Sequence, residues 1–334
     1  MRRSWFSSVT AVALAAGMGF VGSVSAQSAW NVYNGTTAGG TGWTGNSGCS
    51  ITGTTYGNTA ACSGAVKTGG TAAGTSLTVS AWSTSKGSGV DLQTISGSSY
   101  ANAYITDNVN SGFGANNRTE TAANTSSPNH SVDNTPGGYD FLLLDFGSAS
   151  VVLDTVGIGW GNGTGSKADL TIMRWTGAGS PVCVSTAQSP CSTATLGSKN
   201  TVADSGWTFV SNLQDVTGDG STPFGGNARS TGATGATQSS SWWLVSAFSS
   251  TLSGTTDCKT AAGATVTCDP NDDGFKLNWL TTKNYTCATT GNAPSQNGTC
   301  AGQTTNVPEP TSVALVGLAL AGIWGSRRRR SQIS

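Results

Sequence analysis

The chain has 334 residues, of which only 10% are charged and 47 are glycine. Its sixteen Lys and Arg balance sixteen Asp and Glu, but six arginines and one glutamate lie in the two ends, which leaves ten cations against fifteen anions and a net charge of about −5. This deficit of positive charge argues against nucleic acid as a partner, because binding to a phosphate backbone requires a basic protein surface. The scarcity of Lys and Glu also disfavours long helices.

A signal peptide is predicted at the N-terminus. Arg2 and Arg3 precede an uncharged, apolar run over residues 9–24, and small residues continue to Ala26. A short basic segment, an apolar segment and a small-residue site are typical of secretory signals. We therefore expect residues 1–26 to form a helix that the secretion machinery recognises and that signal peptidase removes after Ala26. The alternative is an N-terminal helix that is retained.

The middle of the chain, residues 27–306, is predicted to fold as one secreted all-β domain. Bursts of Val, Thr, Trp and Tyr between Gly- and Ser-rich stretches favour strands joined by turns. Residues 107–138 are predicted to be a long polar loop. We expect a two-sheet antiparallel sandwich, jelly-roll-like, with long Gly/Ser/Thr loops and no helix. The predicted strands are 77–82, 100–106, 141–146, 151–160, 170–175, 207–213, 242–248 and 275–280.

The three central predicted strands are joined by short polar turns, and we expect them to be antiparallel neighbours. The last of them alternates, with Leu170 and Ile172 on one face and Met173 and Trp175 on the other. We expect only one of these faces to meet solvent. An exposed tryptophan would offer a stacking surface for sugars, and packing in the core is the alternative. The candidates are Trp43, Trp175, Trp242, Trp243 and Trp279.

The eight cysteines are predicted to form disulfides, because an exported chain folds in an oxidising compartment. A zinc site is disfavoured, since the chain has one histidine and no C-x-x-C. The spacing of the cysteines suggests four local pairs, each closing a short loop. These pairs are Cys49–Cys62, Cys183–Cys191, Cys258–Cys268 and Cys287–Cys300.

The residues that hydrolases use are scarce. His130 is the single histidine and so the single candidate for the general base of a Ser-His-Asp triad, with Asp133 three residues later. No Gly-x-Ser-x-Gly elbow follows a predicted strand. A glycosidase needs two carboxyl groups, and because Glu120 is the one glutamate outside the two ends, two glutamates cannot supply them. Aspartates that flank predicted strands could form a pair, and roles in turns and at strand edges are the alternative. These are Asp140, Asp145, Asp154 and Asp169. We therefore expect no enzymatic activity.

One segment resembles a calcium-binding loop. Asp269, Asn271 and Asp273, followed by Gly274, match the start of D-x-[DN]-x-[DN]-G, in which alternate oxygen ligands surround a hard cation. The twelfth position is Leu280, so the loop lacks the bidentate glutamate of an EF-hand. Calcium is the only cofactor that the sequence suggests. The alternative is a simple turn rich in Asp and Asn.

The C-terminal segment 307–330 carries three features in order. Pro308, Glu309 and Pro310 come first, and the prolines stop regular structure because each lacks an N–H. Residues 311–326 are uncharged and mostly apolar. As a helix they would span about 24 Å, a little short of the hydrocarbon core. Four arginines follow and predict a cytoplasmic end for this span. They are Arg327, Arg328, Arg329 and Arg330.

Pro-Glu-Pro, a short apolar span and an arginine cluster, in this order at the C-terminus, resemble the PEP-CTERM sorting signal. The resemblance implies that an exosortase, a transpeptidase-like membrane enzyme, recognises the tripeptide and removes the tail. It also implies a Gram-negative bacterial protein that is held only transiently in the inner membrane and finally reaches the cell surface or the extracellular space. The alternative is a C-terminal anchor that is never cut.

Three functions follow as hypotheses. The first is an exported, non-enzymatic protein with a structural or adhesive role in an exopolysaccharide or biofilm matrix. The second is a lectin-like module that binds the same exopolysaccharide. The third is a secreted hydrolase. The expected partners are exosortase, signal peptidase with the secretion machinery, and exopolysaccharide.

Overall fold

A computed structural model of the protein describes residues 24–38, 42–68, 76–83, 92–95, 98–108, 111–120, 130–134, 139–177, 179–183, 206–218, 227–269, 273–287 and 294–300. Within these ranges the chain is all-β, as predicted, apart from one turn of α-helix and one 3-10 turn. Nearly all of the predicted signal helix and the whole predicted span 311–326 lie outside the described residues. Among the described residues, no helix is long and apolar enough to cross a membrane.

The strands of the first half of the chain are mostly short. The predicted strand 77–82 is confirmed as β7, whereas the predicted loop 107–138 is wrong in two places, because it contains β11 and β12. The bounds are β1 Val24–Asn31, β2 Thr37–Ala38, β3 Trp43–Thr44, β4 Asn46–Thr52, β5 Thr59–Ser63, β6 Ala65–Lys67, β7 Leu77–Ser83, β8 Leu92–Ile95, β9 Ser98–Asn102, β10 Tyr104–Asn108, β11 Gly112–Asn116 and β12 Val132–Asp133.

β11 has no apolar alternation that would predict a strand, because small residues make up most of it. All five of its residues are buried. Gly112, with a φ of +93°, lies so close to β22 that a Cβ there would collide with the carbonyl oxygen of Leu277. The predicted strand 100–106 is divided at Ala103, whose N–H donates to the carbonyl of Ala81. The chain changes sheets at this point, from β9 to β10.

The second half of the chain carries the longer strands. All six strands predicted after residue 140 are found, with shifts at their ends. Strands β17 and β22 extend several residues beyond the predicted ends. The bounds are β13 Asp140–Asp145, β14 Val152–Gly161, β15 Lys167–Trp175, β16 Val182–Cys183, β17 Trp207–Thr217, β18 Arg229–Ser230, a 3-10 turn Ala236–Gln238, β19 Trp242–Ala247, α1 Ser250–Ser253, β20 Asp257–Lys259, β21 Thr265–Thr267 and β22 Gly274–Tyr285.

The strands form two sheets. The first sheet is built around β22, which pairs with β14 along one edge and with β1, β11 and β12 in succession along the other. The centre of the second sheet has the order β9-β7-β13-β19-β15-β17-β20. These pairings are antiparallel except that of β17 with β20. The two-sheet architecture is therefore as predicted, and a jelly-roll connection stays a prediction.

The prediction that the three central strands are neighbours is wrong. β13 and β15 both lie in the second sheet, but they are separated by β19, which pairs with each of them. β14 lies in the first sheet beside β22. Short turns are compatible with this arrangement, because a turn can carry the chain from one layer of a sandwich to the other. Sequence spacing alone does not distinguish the two connections.

The main apolar core lies between the two sheets, and a second apolar cluster covers the outer face of the second sheet. In β13, Leu142 and Leu144 belong to the main core, while Phe141 and Leu143 belong to the second cluster. Full burial of such a side chain contributes about 1.5–3 kcal/mol. β15 divides in the same way, so the expectation that one of its faces meets solvent is wrong.

Three disulfides are present among the described residues, as the spacing predicted: Cys49–Cys62, Cys258–Cys268 and Cys287–Cys300. Cys191 lies outside the described residues, so the pair with Cys183 stays a prediction. The predicted cleavage point after Ala26 falls inside β1. Residues 27–31, which follow that point, pair with β22 through the register Gln27 to Lys283. Cleavage there would leave this pairing in place.

Candidate functional site

The predicted calcium motif runs from the end of β21 to the start of β22. Asp269 is exposed, Asp273 retains only 8% of its exposure, and Asn271 lies outside the described residues. Oδ1 of Asp273 accepts the N–H of Asp169 at 2.8 Å, and its Oδ2 lies 3.5 Å from Nδ2 of Asn134. Asp273 is thus already engaged as an acceptor inside the fold. The motif remains a prediction as a calcium site.

Asp169 and Asp273 form a structure that we name the Asp169 clasp. Oδ1 of Asp169 accepts the N–H of Asp215 at 2.7 Å, and its Oδ2 accepts the N–H of Asp269 at 3.0 Å. A bulge makes the first bond possible, because Gln214 and Asp215 of β17 together oppose Asp169 and Asp215 has a φ of +52°. The clasp joins β15, β17 and the β21–β22 connection.

Burial controls the titration of the clasp. It raises the pKa of Asp169, and it raises the pKa of Asp273 to about 8, while the N–H groups that donate to these carboxylates act in the opposite direction. Asp169 also lies within 4.8 Å of the sulfurs of Cys258 and Cys268. These sulfurs are joined in a disulfide. They therefore offer no thiolate, and the group does not constitute a metal site.

A second group of acidic side chains, the inner carboxylate cluster, consists of Glu120, Asp133 and Asp140. Glu120 ends the turn that follows β11, Asp133 is the last residue of β12, and Asp140 is the first residue of β13. Asp133 and Asp140 are completely buried, and Glu120 is half-buried. The cluster therefore brings together residues of the first sheet with the start of a central strand of the second.

The charges acting on this cluster are negative. Burial raises the pKa of Asp140 well above its ordinary value, and the carboxylates of Asp133 and Glu120 raise it further. Burial also raises the pKa of Glu120 to about 7, against the N–H of Asn117, which donates to Oε2 at 2.9 Å. The hydroxyl of Ser83 and the amide of Asn117 lie beside Asp140, yet neither carboxylate oxygen receives a hydrogen bond of good geometry.

Arg118 is the cation adjacent to the cluster in sequence, but its side chain is directed elsewhere. Its Nε donates to the carbonyl of Asn102 at 3.0 Å, and a terminal nitrogen donates to the side chain of the same residue. Its Cζ lies 4.6 Å from the centre of the Tyr56 ring. The positive charge of Arg118 is therefore held against Tyr56 and Asn102 rather than against the carboxylates.

His130, the single candidate for a general base, contacts an aromatic ring and a threonine hydroxyl. Its ring is stacked with that of Trp160, with centroids 6.5 Å apart, and its carbonyl accepts a hydrogen bond from the hydroxyl of Thr106 at 2.6 Å. Asp133, its predicted partner, raises the pKa values of Glu120 and Asp140. A triad that includes His130 and Asp133 stays a hypothesis.

Lys276 is a buried ionisable residue that the sequence did not single out. It lies in β22 with 1% of its surface exposed, and its Nζ has no hydrogen-bond partner. Burial lowers its pKa to about 8, while the charge of Asp107 raises it. The predicted strand 275–280 contained this lysine, but alternation alone does not show that both faces of a strand are covered.

Most of the tryptophans considered as sugar platforms belong to the interior. Trp175, Trp242, Trp243 and Trp279 are all buried, and only Trp43 retains intermediate exposure. Trp175 packs edge-on against Trp207 with ring centroids 5.4 Å apart. Core packing, the alternative interpretation, accounts for the four buried side chains.

The strongest functional information lies in the C-terminal tail. A comparison with protein-family models matches residues 306–330 to the PEP-CTERM protein-sorting motif. The chain carries a PEP-CTERM sorting motif. The matched range contains Pro308, Glu309 and Pro310 together with the four arginines, all outside the described residues. Comparisons with curated proteins and with solved structures give no match.

The motif defines the destination of the chain. It implies a secreted protein with a C-terminal sorting signal that anchors it in a membrane, and exosortases are the enzymes that recognise such signals. The expectation drawn from the order of proline, apolar span and arginine is therefore confirmed at the level of the motif. The described domain is the cargo that this signal would carry.

Proposed function

We propose that the protein is an exosortase-processed, non-enzymatic component of the cell surface or extracellular matrix, with a structural or adhesive role in exopolysaccharide or biofilm. The PEP-CTERM motif at residues 306–330 carries the proposal. The disulfide-linked sandwich supports it, because disulfides persist in oxidising compartments. The proposed route uses signal peptidase, the secretion machinery and a transient stay in the inner membrane of a Gram-negative bacterium.

The surface of the domain fits a cargo that leaves the membrane. Among the described residues, Tyr139 is the one large hydrophobic side chain that is exposed, at 39%. Larger apolar patches mark surfaces that bind membranes or proteins. The single exposed side chain of this kind among the described residues supports a domain that stands free once the tail is removed.

Mass spectrometry of the protein isolated from its native cells tests the route. We expect a new N-terminus at Gln27 and a C-terminus that lacks Arg327 to Arg330. A matched variant, Glu309→Ala, keeps the apolar span and the arginines but changes the recognised tripeptide, so it should accumulate uncut in the membrane fraction. A native protein that still carries the four arginines would contradict the proposal.

Carbohydrate binding is the second candidate function, and Trp43 is the predicted platform that retains exposure. Stacking of a sugar on a tryptophan requires one accessible ring face. A pull-down with the producer's own exopolysaccharide compares the wild type with Trp43→Ala. Retention that is lost in the variant supports a lectin-like module, while equal recovery in both, or none in either, favours the structural role.

A further inference from the structure

We propose that one end of the sandwich, which we name the exit end, faces the membrane for as long as the C-terminal tail is in place. This orientation rests on the proposed function, because it requires the sorting signal to act as a temporary anchor. The exit end is where β1 begins and β22 ends, since Gln27 pairs with Lys283. The opposite end, where β22 begins and the Asp169 clasp lies, is named the clasp end.

The tail leaves the domain at the exit end. Cys287 follows shortly after β22 and is joined by a disulfide to Cys300, with the two Cα atoms 5.5 Å apart. Nε2 of Gln296 donates to the carbonyl of Gly147 at 2.9 Å. This glycine lies in the turn before β14, and β14 begins beside the end of β22. The disulfide and this hydrogen bond therefore hold the segment 294–300 at the exit end.

The N-terminal side of the domain is attached at the same end. The predicted signal peptide ends at Ala26, which pairs with Asn284 near the end of β22. The apolar runs 9–24 and 311–326 are thus both joined to the domain at the exit end. Whichever of the two runs holds the domain at a membrane, the attachment is at this end.

The tether between the domain and the sorting motif is short. Seven residues, 301–307, separate Cys300 from Pro308, and a chain of that length spans at most about 25 Å. β14 runs from the exit end to the clasp end, and its ten residues span about 33 Å. Because the tether is shorter than the domain, it keeps the exit end close to the membrane and leaves the clasp end directed towards the surroundings.

Exposed charges at the two ends favour the same orientation. Lys67 is exposed, forms no ion pair among the described residues, and lies at the end of β6 that is nearest the start of β1. At the clasp end Asp269 is exposed, while Lys167 and Asp215 are paired with each other at 3.6 Å. A membrane surface that contains anionic lipid attracts lysine and repels carboxylates. Both charges therefore turn the exit end towards such a surface.

The test uses the exported protein with its tail uncut, in the variant Glu309→Ala, in liposomes of anionic lipid that carry a fluorescence quencher on the headgroup. A fluorescent label is attached either to Ser148→Cys, in the turn before β14, or to Thr164→Cys, in the turn after it. Both positions are exposed, so neither substitution disturbs the core. A further pair of variants carries about 20 Gly and Ser residues inserted after Ala301, which lengthens the tether and leaves the described domain unchanged.

We expect the label at position 148 to be quenched at least about twofold more strongly than the label at position 164, because β14 separates the two turns by about 33 Å. The insertion should remove most of this difference, and a difference that survives it would overturn the tether as the cause. Equal quenching at both positions, or stronger quenching at 164, in protein that remains with the liposomes would overturn the orientation and leave the sorting route intact. Protein that does not remain with the liposomes would contradict the anchor, and both proposals with it.

Discussion

The Asp169 clasp and the inner carboxylate cluster are both built from buried acidic side chains, yet they are supported in opposite ways. In the clasp, Asp169 receives the N–H groups of Asp215 and Asp269. In the cluster, neither oxygen of Asp140 receives a hydrogen bond of good geometry. Backbone donors stabilise a carboxylate where it lies, while a carboxylate without them requires a proton or a cation. Backbone donors therefore distinguish the carboxylate of the clasp from Asp140, beside which only side-chain donors, those of Ser83 and Asn117, lie.

The clasp is also the place where the sequence motif lies. Asp269 and Asp273 match the first part of a calcium loop. In the fold, the N–H of Asp269 and the carboxylate of Asp273 serve to hold Asp169. The backbone of one motif residue and the carboxylate of another are thus already engaged in hydrogen bonds within the fold. We therefore expect substitutions of individual carboxylates to change the stability of the domain to different degrees.

The largest expected effect comes from Asp169→Ala. The substitution leaves the N–H groups of Asp215 and Asp269 inside the fold without their acceptor, and each such group costs about 1–3 kcal/mol. We expect the free energy of unfolding to fall by about 3–5 kcal/mol. Urea unfolding followed by tryptophan fluorescence measures the change.

Asp269→Ala is the matched control for that variant. It removes an exposed side chain but keeps the backbone N–H that donates to Asp169, so we expect a change within about 0.5 kcal/mol. If the two variants lose equal stability, the clasp does not depend on the Asp169 carboxylate, and the contrast with the inner carboxylate cluster disappears.

We expect Asp273→Asn to have a smaller effect, which is a change in how the free energy of unfolding depends on pH. Burial raises the pKa of Asp273 from 3.8 to about 8, and the charges of Asp169 and Asp269 act in the same direction. Between these two values the folded protein holds a proton that the unfolded chain has released. Stability contributed by this proton is complete below the unfolded pKa and is lost as the pH rises towards 8.

Unfolding at a series of pH values in the presence of chelator tests this sign. We expect wild-type stability to decline between about pH 4 and pH 8, and Asp273→Asn to remove on the order of 1 kcal/mol of that decline. Asp257→Asn, at an exposed position of β20, should leave the profile unchanged. A wild type whose stability rises across the same interval would show that burial does not dominate at Asp273.

Most strands could be predicted from the sequence, but the neighbours with which they pair could not. Residues such as Phe141 to Leu144 are apolar without interruption, which predicts a strand buried on both faces. β11 was missed because glycine and alanine give no alternation. The pairing of β13 with β19 depends on which layer each turn enters, and turn length does not encode it. Three of the local cysteine pairs were predictable because each closes a short loop.

The same limit explains what was missed at the candidate sites. A motif is found when its residues are contiguous, as they are from Asp269 to Gly274. Glu120, Asp133 and Asp140 are separated by polar stretches, and only the pairing of β12 with β22 and of β13 with β7 brings them together. The scarcity of acidic residues in the domain was the available signal, because Glu120 is its one glutamate.

The smallest change in stability is expected at Asp154. Its carboxylate is paired with a lysine at the surface rather than with buried backbone donors. Nζ of Lys283 lies 2.6 Å from its Oδ1, and the two side chains are 30% and 15% exposed. Such pairs contribute about 0.2–1 kcal/mol, because water and salt screen them. Lys283→Met should therefore lower the free energy of unfolding by at most about 1 kcal/mol, less at high salt.

Lys167→Met provides the control for that variant, since the pair of Lys167 with Asp215 is longer, at 3.6 Å, and more exposed. We expect almost no loss there. Asp154 would keep its contacts with Gln27, at 3.4 Å, and with Thr281, at 3.5 Å, when Lys283 is replaced. A loss at Lys283→Met as large as that at Asp169→Ala would contradict the order argued above, because a screened cation would then support a carboxylate as strongly as buried N–H donors do.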